Sequence, residues 1–213
     1  MPLYKLYTKD AFRLGIWKLT ETADELASLF PGGMQIRENA FKLFQSEGRR
    51  REWIAIRTLL YNLLKEQKEI CYLPNGKPYL KDRSYHIGIS HTRGFVALSL
   101  HSEHETGIDI EYHNKRIFNV RRRFITKEEE RYILPQYELN SLLLHWCAKE
   151  TVFKMMNTAE VNFLEHLHIE KFDYPIHKIF FLQETRTAEQ KLYEIHYRIY
   201  PDFVITWSEQ THA

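Results

Sequence analysis

Cysteine is nearly absent from this chain of 213 residues, which has only Cys71 and Cys147. They stand far apart in apolar surroundings, with no second cysteine or ordered histidine set beside either, so neither a disulfide framework nor a zinc site is supported. Both are expected as reduced core thiols. Long apolar runs are missing too: no stretch approaches the roughly 18 to 20 uninterrupted apolar residues that a membrane-spanning helix requires. The N-terminus lacks a basic start followed by an apolar run and a small-residue cleavage site, so the expectation is a cytoplasmic protein without membrane association. The 8 glycines and 7 prolines are scattered rather than gathered into a linker, and there is no short tandem repeat. An excess of one charge is also lacking. Thirty lysines and arginines face 28 aspartates and glutamates, for a net charge of +2, which excludes a molecule that binds polyanions over its whole surface.

What is present is the composition of a folded protein, 44% hydrophobic and 14% aromatic, long enough for one large domain or two small ones. Leu3 to Trp17 alternate and suit an opening strand. A helix capped by Thr20 is expected next, with Leu26, Leu29 and Phe30 on one face and Pro31-Gly32-Gly33 ending it. Trp53, Ile56, Leu60 and Leu63 recur at helical spacing between Glu52 and Leu64. Short β-rich runs follow from Ile70 to Glu111, with turns at Asn75-Gly76 and Arg93-Gly94. A second cycle has helical stretches at 120–123, 127–133 and 141–156, then strands at 178–183, 192–200 and 203–207. The repeated order of helices then strands predicts an α+β protein of two similar lobes, residues 1–103 and 104–213, with any site between them.

Positive charge is clustered in Arg49-Arg50-Arg51 and Arg121-Arg122-Arg123. Solvated helix faces account for such runs as readily as binding does. Negative charge is more telling. In Gly107-Ile108-Asp109-Ile110-Glu111 two carboxylates alternate with isoleucines, so they project from one strand face about 7 Å apart. That suits a hard cation such as Mg²⁺, although half-exposed strands also carry such pairs as ordinary surface charge. Farther on, Trp146, Glu150 and Lys154 fall at i, i+4 and i+8 on nearly one helix face, while Lys149 points about 100° away. An amphipathic helix with Trp146 and Phe153 in the core and a Glu150–Lys154 pair explains that helix equally well. Together, three carboxylates and a lysine suggest a metal-dependent phosphate site.

Asn75-Gly76-Lys77-Pro78 is a turn with a charge beside a glycine, and by itself a simple hairpin loop. Ser90-His91 ends a strand where a phosphate or ribose could be held. Adjacent residues of an extended chain face opposite ways, so Ser90 is a poor nucleophile for His91 and a serine hydrolase is discounted.

Taken in order, Gly76-Lys77-Pro78, Ile89-Ser90-His91, the 107–111 strand, Phe124 with Glu128 and Glu129, and Trp146-x-x-Lys149-Glu150-x-x-x-Lys154 closely resemble the motifs of the 4′-phosphopantetheinyl transferases. The resemblance is to the larger, two-lobed, surfactin-synthetase-activating type rather than the short trimeric synthases. It implies a pseudo-twofold fold with coenzyme A in the cleft between lobes. It also implies transfer of the phosphopantetheine arm to a serine of an apo acyl or peptidyl carrier protein, a holo-carrier synthase activity that releases adenosine 3′,5′-bisphosphate. By the same resemblance Asp109, Glu111 and Glu150 hold Mg²⁺, Glu150 is the base and Lys154 steadies the pyrophosphate. Arg50, Arg57, Gly76, Lys77, Pro78, Ser90, His91 and Lys149 become coenzyme contacts. The Arg121 to Arg123 segment is a candidate for docking an acidic carrier, and two fused lobes make a monomer sufficient. Relatives often continue past the last lysine into a Gly-rich turn, whereas this chain reads Met155-Met156-Asn157-Thr158-Ala159-Glu160. Two rivals stay in view: a binding module that has lost turnover, and nucleic-acid binding through the arginine runs, which the near-neutral charge disfavours.

Overall fold

The opening alternation folds as a hairpin rather than one strand. In a computed structural model that describes residues 3–156, 158 and 160–209, β1 (Leu3–Lys9) and β2 (Phe12–Lys18) pair antiparallel. They reverse beside Asp10, whose φ of 49° is a left-handed conformation that aspartate tolerates. The architecture is α+β, built from antiparallel sheets and helices, in two compact units, Met1–Glu103 and His104–Ala213. Among the described residues no helix is long and apolar enough to cross a membrane.

In the first unit β5 (His86–Thr92) and β6 (Phe95–His101) complete a four-stranded sheet in the order β1-β2-β6-β5. Three helices accompany it: α1 (Ala23–Ser28), α2 (Gly33–Leu43) and α3 (Glu47–Leu64). The cap of α1 is Thr22, not Thr20: its side chain accepts from the Glu25 N–H while the Glu25 carboxylate accepts from the Thr22 N–H. The Pro31-Gly32-Gly33 stop also opens α2, which sequence patterning missed because that helix buries only Ile36 and Ala40. Ser46 caps α3 at the Arg49 N–H, so this helix starts five residues before Glu52. Its buried residues, from Ile54 to Leu63, pack with Trp17, Val96 and Leu98 in one core. A short hairpin of β3 (Ile70–Tyr72) and β4 (Pro78–Leu80) turns around Gly76, whose φ of 85° favours glycine.

The second unit is a five-stranded antiparallel sheet, β7 (Thr106–Tyr112), β11 (Phe203–Glu209), β10 (Leu192–Ile199), β9 (Ile179–Glu184) and β8 (Leu167–Ile169), in that spatial order. Between β7 and β8 come α4 (Ile117–Val120), a 3-10 turn over Arg121–Arg123, α5 (Lys127–Glu130), the long α6 (Glu138–Met155) and α7 (Phe163–His166). Buried Leu142, Leu144, Cys147 and Val152 of α6 pack with Leu182, Ile195 and Val204 of the sheet. The Thr151 and Thr206 hydroxyls, 2.7 Å apart, tie α6 to β11. Both cysteines are free, Cys147 buried and Cys71 half-buried.

The crossing of α6 over β7 is close enough to require glycine. A Cβ on Gly107 would stand 2.5 Å from Met155 Cγ and 2.6 Å from the Thr151 carbonyl oxygen, and the second of these is backbone that cannot swing aside. Gly107→Ala is therefore expected to destabilise the fold by about 1–3 kcal/mol through overpacking. Urea denaturation measures this, and a native midpoint in the variant would show that α6 can shift.

Candidate active site

Strand β7 and helix α6 carry Asp109, Glu111, Glu150 and Lys154. Asp109 and Glu111 share a face of β7 by the period of two, and Val204 and Thr206, their partners on β11, stand on that face with them. Above them Trp146, Glu150 and Lys154 lie one above another on α6, spaced by one turn each. Lys154 Nζ donates to Asp109 Oδ1 at 2.6 Å, and the Trp146 indole Nε1–H donates to Glu111 Oε1 at 2.9 Å. Asp109 is only 4% exposed.

The electrostatics are those of a site with too little positive charge. Burial first, and then the charge of Asp109, push the Glu150 carboxyl up to about 7, with Lys154 partly offsetting. Burial and Asp109 likewise raise Glu111 to about 7, against the Trp146 hydrogen bond and Lys154. Burial disfavours the Lys154 charge, but Asp109 and Glu150 outweigh it and hold its pKa above the ordinary value. Cys147, buried beside Asp109, stays a thiol because burial and the neighbouring carboxylates drive its pKa well up.

Among the described residues no three His, Cys, Asp or Glu side chains are gathered into a set that holds a metal as they stand. Asp109 and Glu111 are engaged by Lys154 and Trp146 instead. The chemistry of the donor set nevertheless fits a hard divalent cation: three carboxylates that sense one another's charge, opposed by a single lysine.

Three expectations change on this helix. Lys149 is fully buried, and its ammonium donates to the Phe124 carbonyl at 2.6 Å, the Phe163 carbonyl at 3.2 Å and Glu129 Oε2 at 3.0 Å. Its donors are committed inside the fold. Phe153 is 39% exposed rather than in the core, and rests against Phe163. Trp146 does more than anchor the helix, since it bonds a site carboxylate. Of the loop expected after Lys154, Asn157 and Ala159 lie outside the described residues.

The remaining candidates belong to the first unit, where α3, the β3–β4 turn and the end of β5 line a groove of about 820 Å³. Arg57, Gly76, Pro78 and His91 are among its lining residues, and Lys77 sits in the turn between two of them. The Arg57 guanidinium lies 3.5 Å over the Trp53 ring; burial lowers its pKa to about 10, which leaves it charged at neutral pH. His91 Nδ1 is 3.6 Å from Glu52 Oε1. Ser90 is 5% exposed and faces away from His91 and Ile89, which line the groove. The three consecutive arginines divide by helix geometry: Arg49 lines the groove, Arg50 Nε donates to the Phe44 carbonyl with its guanidinium over Phe41, and Arg51 donates to the Leu19 carbonyl. Arg49 thus replaces Arg50 as the lining residue. In the other run Arg121 is committed to Glu130 and Glu138, leaving Arg122 and Arg123 exposed.

Comparison with known proteins adds two likenesses. Residues 105–208 match the family model described as the 4′-phosphopantetheinyl transferase superfamily. A curated protein of Haemophilus influenzae named "Putative 4′-phosphopantetheinyl transferase" is 31% identical over 133 residues, covering 56% of this chain and 55% of that protein. The chain thus spans about half the length of the curated relative it matches.

Because Glu111 and Glu150 are raised from 4.5 to about 7, the folded state binds more protons than the unfolded one between those values. Their contribution to stability is therefore present below about pH 4.5 and lost as pH rises through about 7. In chelator, thermal unfolding of Glu150→Gln is expected to show less of the decline between about pH 5 and 8 than the unsubstituted protein. Identical pH profiles would contradict the raised carboxyl.

Proposed function

We propose that this protein, whose residues 105–208 match the family model of the 4′-phosphopantetheinyl transferase superfamily, transfers 4′-phosphopantetheine from coenzyme A to a serine of an apo carrier protein. The single observation that carries the reading is the placement of Glu150, one helical turn from Lys154 and near Asp109 and Glu111, where burial and then Asp109 push its carboxyl up to about 7. A general base works best with its pKa near the operating pH.

In this reading Asp109, Glu111 and Glu150 would hold Mg²⁺. When bound, the ion neutralises charge on the pyrophosphate of coenzyme A. Glu150 takes the proton of the carrier serine hydroxyl, directly or through water. The serine oxygen bonds to the phosphorus bearing the pantetheine arm as the phosphoanhydride bond breaks, and adenosine 3′,5′-bisphosphate leaves. Lys154 meets the negative charge that collects on the departing phosphate. A phosphate that drew the Lys154 ammonium off Asp109 would leave that carboxylate available as a ligand.

The groove of the first unit suits the nucleotide end of coenzyme A. Its volume, the Trp53-backed Arg57 and His91 offer stacking surface and positive charge to a base and a phosphate. Arg122 and Arg123, exposed beside the committed Arg121, suit an acidic carrier surface.

Incubation with coenzyme A, Mg²⁺ and a panel of apo carriers is expected to add one phosphopantetheine to a carrier, read by mass spectrometry; no mass shift on any carrier would refute the activity. Glu150→Gln is expected to lower kcat by about 10²- to 10⁴-fold while the protein stays folded. Arg57→Met is expected to raise KM for coenzyme A about tenfold with kcat near native, the loss of one charge-assisted hydrogen bond. An unchanged KM would remove Arg57 from the coenzyme site.

A further inference from the structure

Lys149 stands next to Glu150 in the chain yet lies on another side of α6, wholly enclosed. Its three ammonium hydrogens meet acceptors from three places: the Phe124 carbonyl, the Phe163 carbonyl at the first residue of α7, and Glu129 of α5. The closer carboxylate oxygen of Glu129 is 2.8 Å from Nζ. Glu129 is just as fully used. Its Oε2 accepts from the Thr126 N–H at 2.8 Å, closing the capping box of α5, and its Oε1 accepts from the Ile169 N–H of β8 at 3.0 Å. One buried ion pair therefore joins α5, α6, α7 and β8.

A buried ion pair is weak evidence for stability, because desolvation offsets the attraction, and its better-attested use is to specify one arrangement among several. Apolar packing and the Thr151–Thr206 contact hold α6 against the sheet, on the side away from Lys149. The tie to Glu129 adds a constraint on the rotation of α6, because Nζ must reach three oxygens at once. We propose that Lys149 is a positioning residue: with Glu129 it sets the rotation of α6 and so aims Trp146, Glu150 and Lys154 at the carboxylates of β7. This rests on the transferase reading for its catalytic consequence, but not for its geometric one. A turn of α6 that moved Glu150 by 1 Å would cost about 10²-fold in rate.

The test is the paired substitution Lys149→Met with Glu129→Gln, which removes both charges together and keeps one acceptor oxygen for either the Thr126 or the Ile169 N–H. The direct readout is the Trp146 indole N–H resonance, assigned through Trp146→Phe, because that hydrogen bond to Glu111 reports the rotation of α6. In the folded double variant this resonance is expected to shift and to exchange faster with solvent. Mn²⁺ affinity and kcat are expected to fall about 10- to 100-fold, with KM for coenzyme A changed less than about threefold. A folded double variant with the native indole signal would overturn the proposal. If the double variant does not fold, Glu129→Gln alone, which leaves Lys149 its two carbonyls, is read by the same indole signal with the same two outcomes. A wild-type protein that binds no Mn²⁺ and modifies no carrier would refute the transferase reading, while the indole signal would still decide the positioning role.

Discussion

The carboxylate cluster depends on how closely α6 can lie over β7, and Gly107 sets that distance. Without a Cβ there, the Thr151 carbonyl and Met155 come down onto the strand. Trp146 and Lys154 then reach Glu111 and Asp109 with hydrogen bonds of 2.9 and 2.6 Å. A wider crossing would let water between the carboxylates. Their mutual repulsion would be screened and the raised pKa values of Glu111 and Glu150 would relax. The first unit uses the same device, where a Cβ on Gly15 would meet Leu59 Cδ1 at 2.7 Å beneath α3.

Much of this was legible in the sequence because it depends on local period. Alternation placed Asp109 and Glu111 on one face of a strand, and spacing by four placed Trp146, Glu150 and Lys154 on one face of a helix. Asn75-Gly76 and Arg93-Gly94 mark turns because positive φ favours glycine there. What stayed hidden depends on partners distant in the chain. The acceptors of Lys149 are two backbone carbonyls and a carboxylate at residues 124, 163 and 129, and nothing in the periodicity of α6 points to them. The second task of Trp146 is a bond to a residue 35 positions away. Helix α2 was missed because a stripe of two buried residues is too thin to give a period.

The arginine runs show why a charge cluster resists reading from sequence. Three adjacent helix positions point about 100° apart, so Arg49, Arg50 and Arg51 reach the groove, an aromatic ring and a loop carbonyl respectively. Sequence names the cluster and only the helix phase assigns the member. Arg57 illustrates the same point, since its use depends on Trp53 one turn earlier lying flat beneath it.

The neighbouring residues Lys149 and Glu150 face two different surroundings, one dry and saturated, the other charged and only half-buried. That gives α6 an evolutionary constraint on length as well as on composition. Inserting or deleting one residue between Trp146 and Lys154 would rotate everything beyond it by about 100°, tearing Lys149 from its acceptors or swinging Lys154 off Asp109. Side chains along this stretch can drift singly, but its residue count is frozen by the two faces it serves.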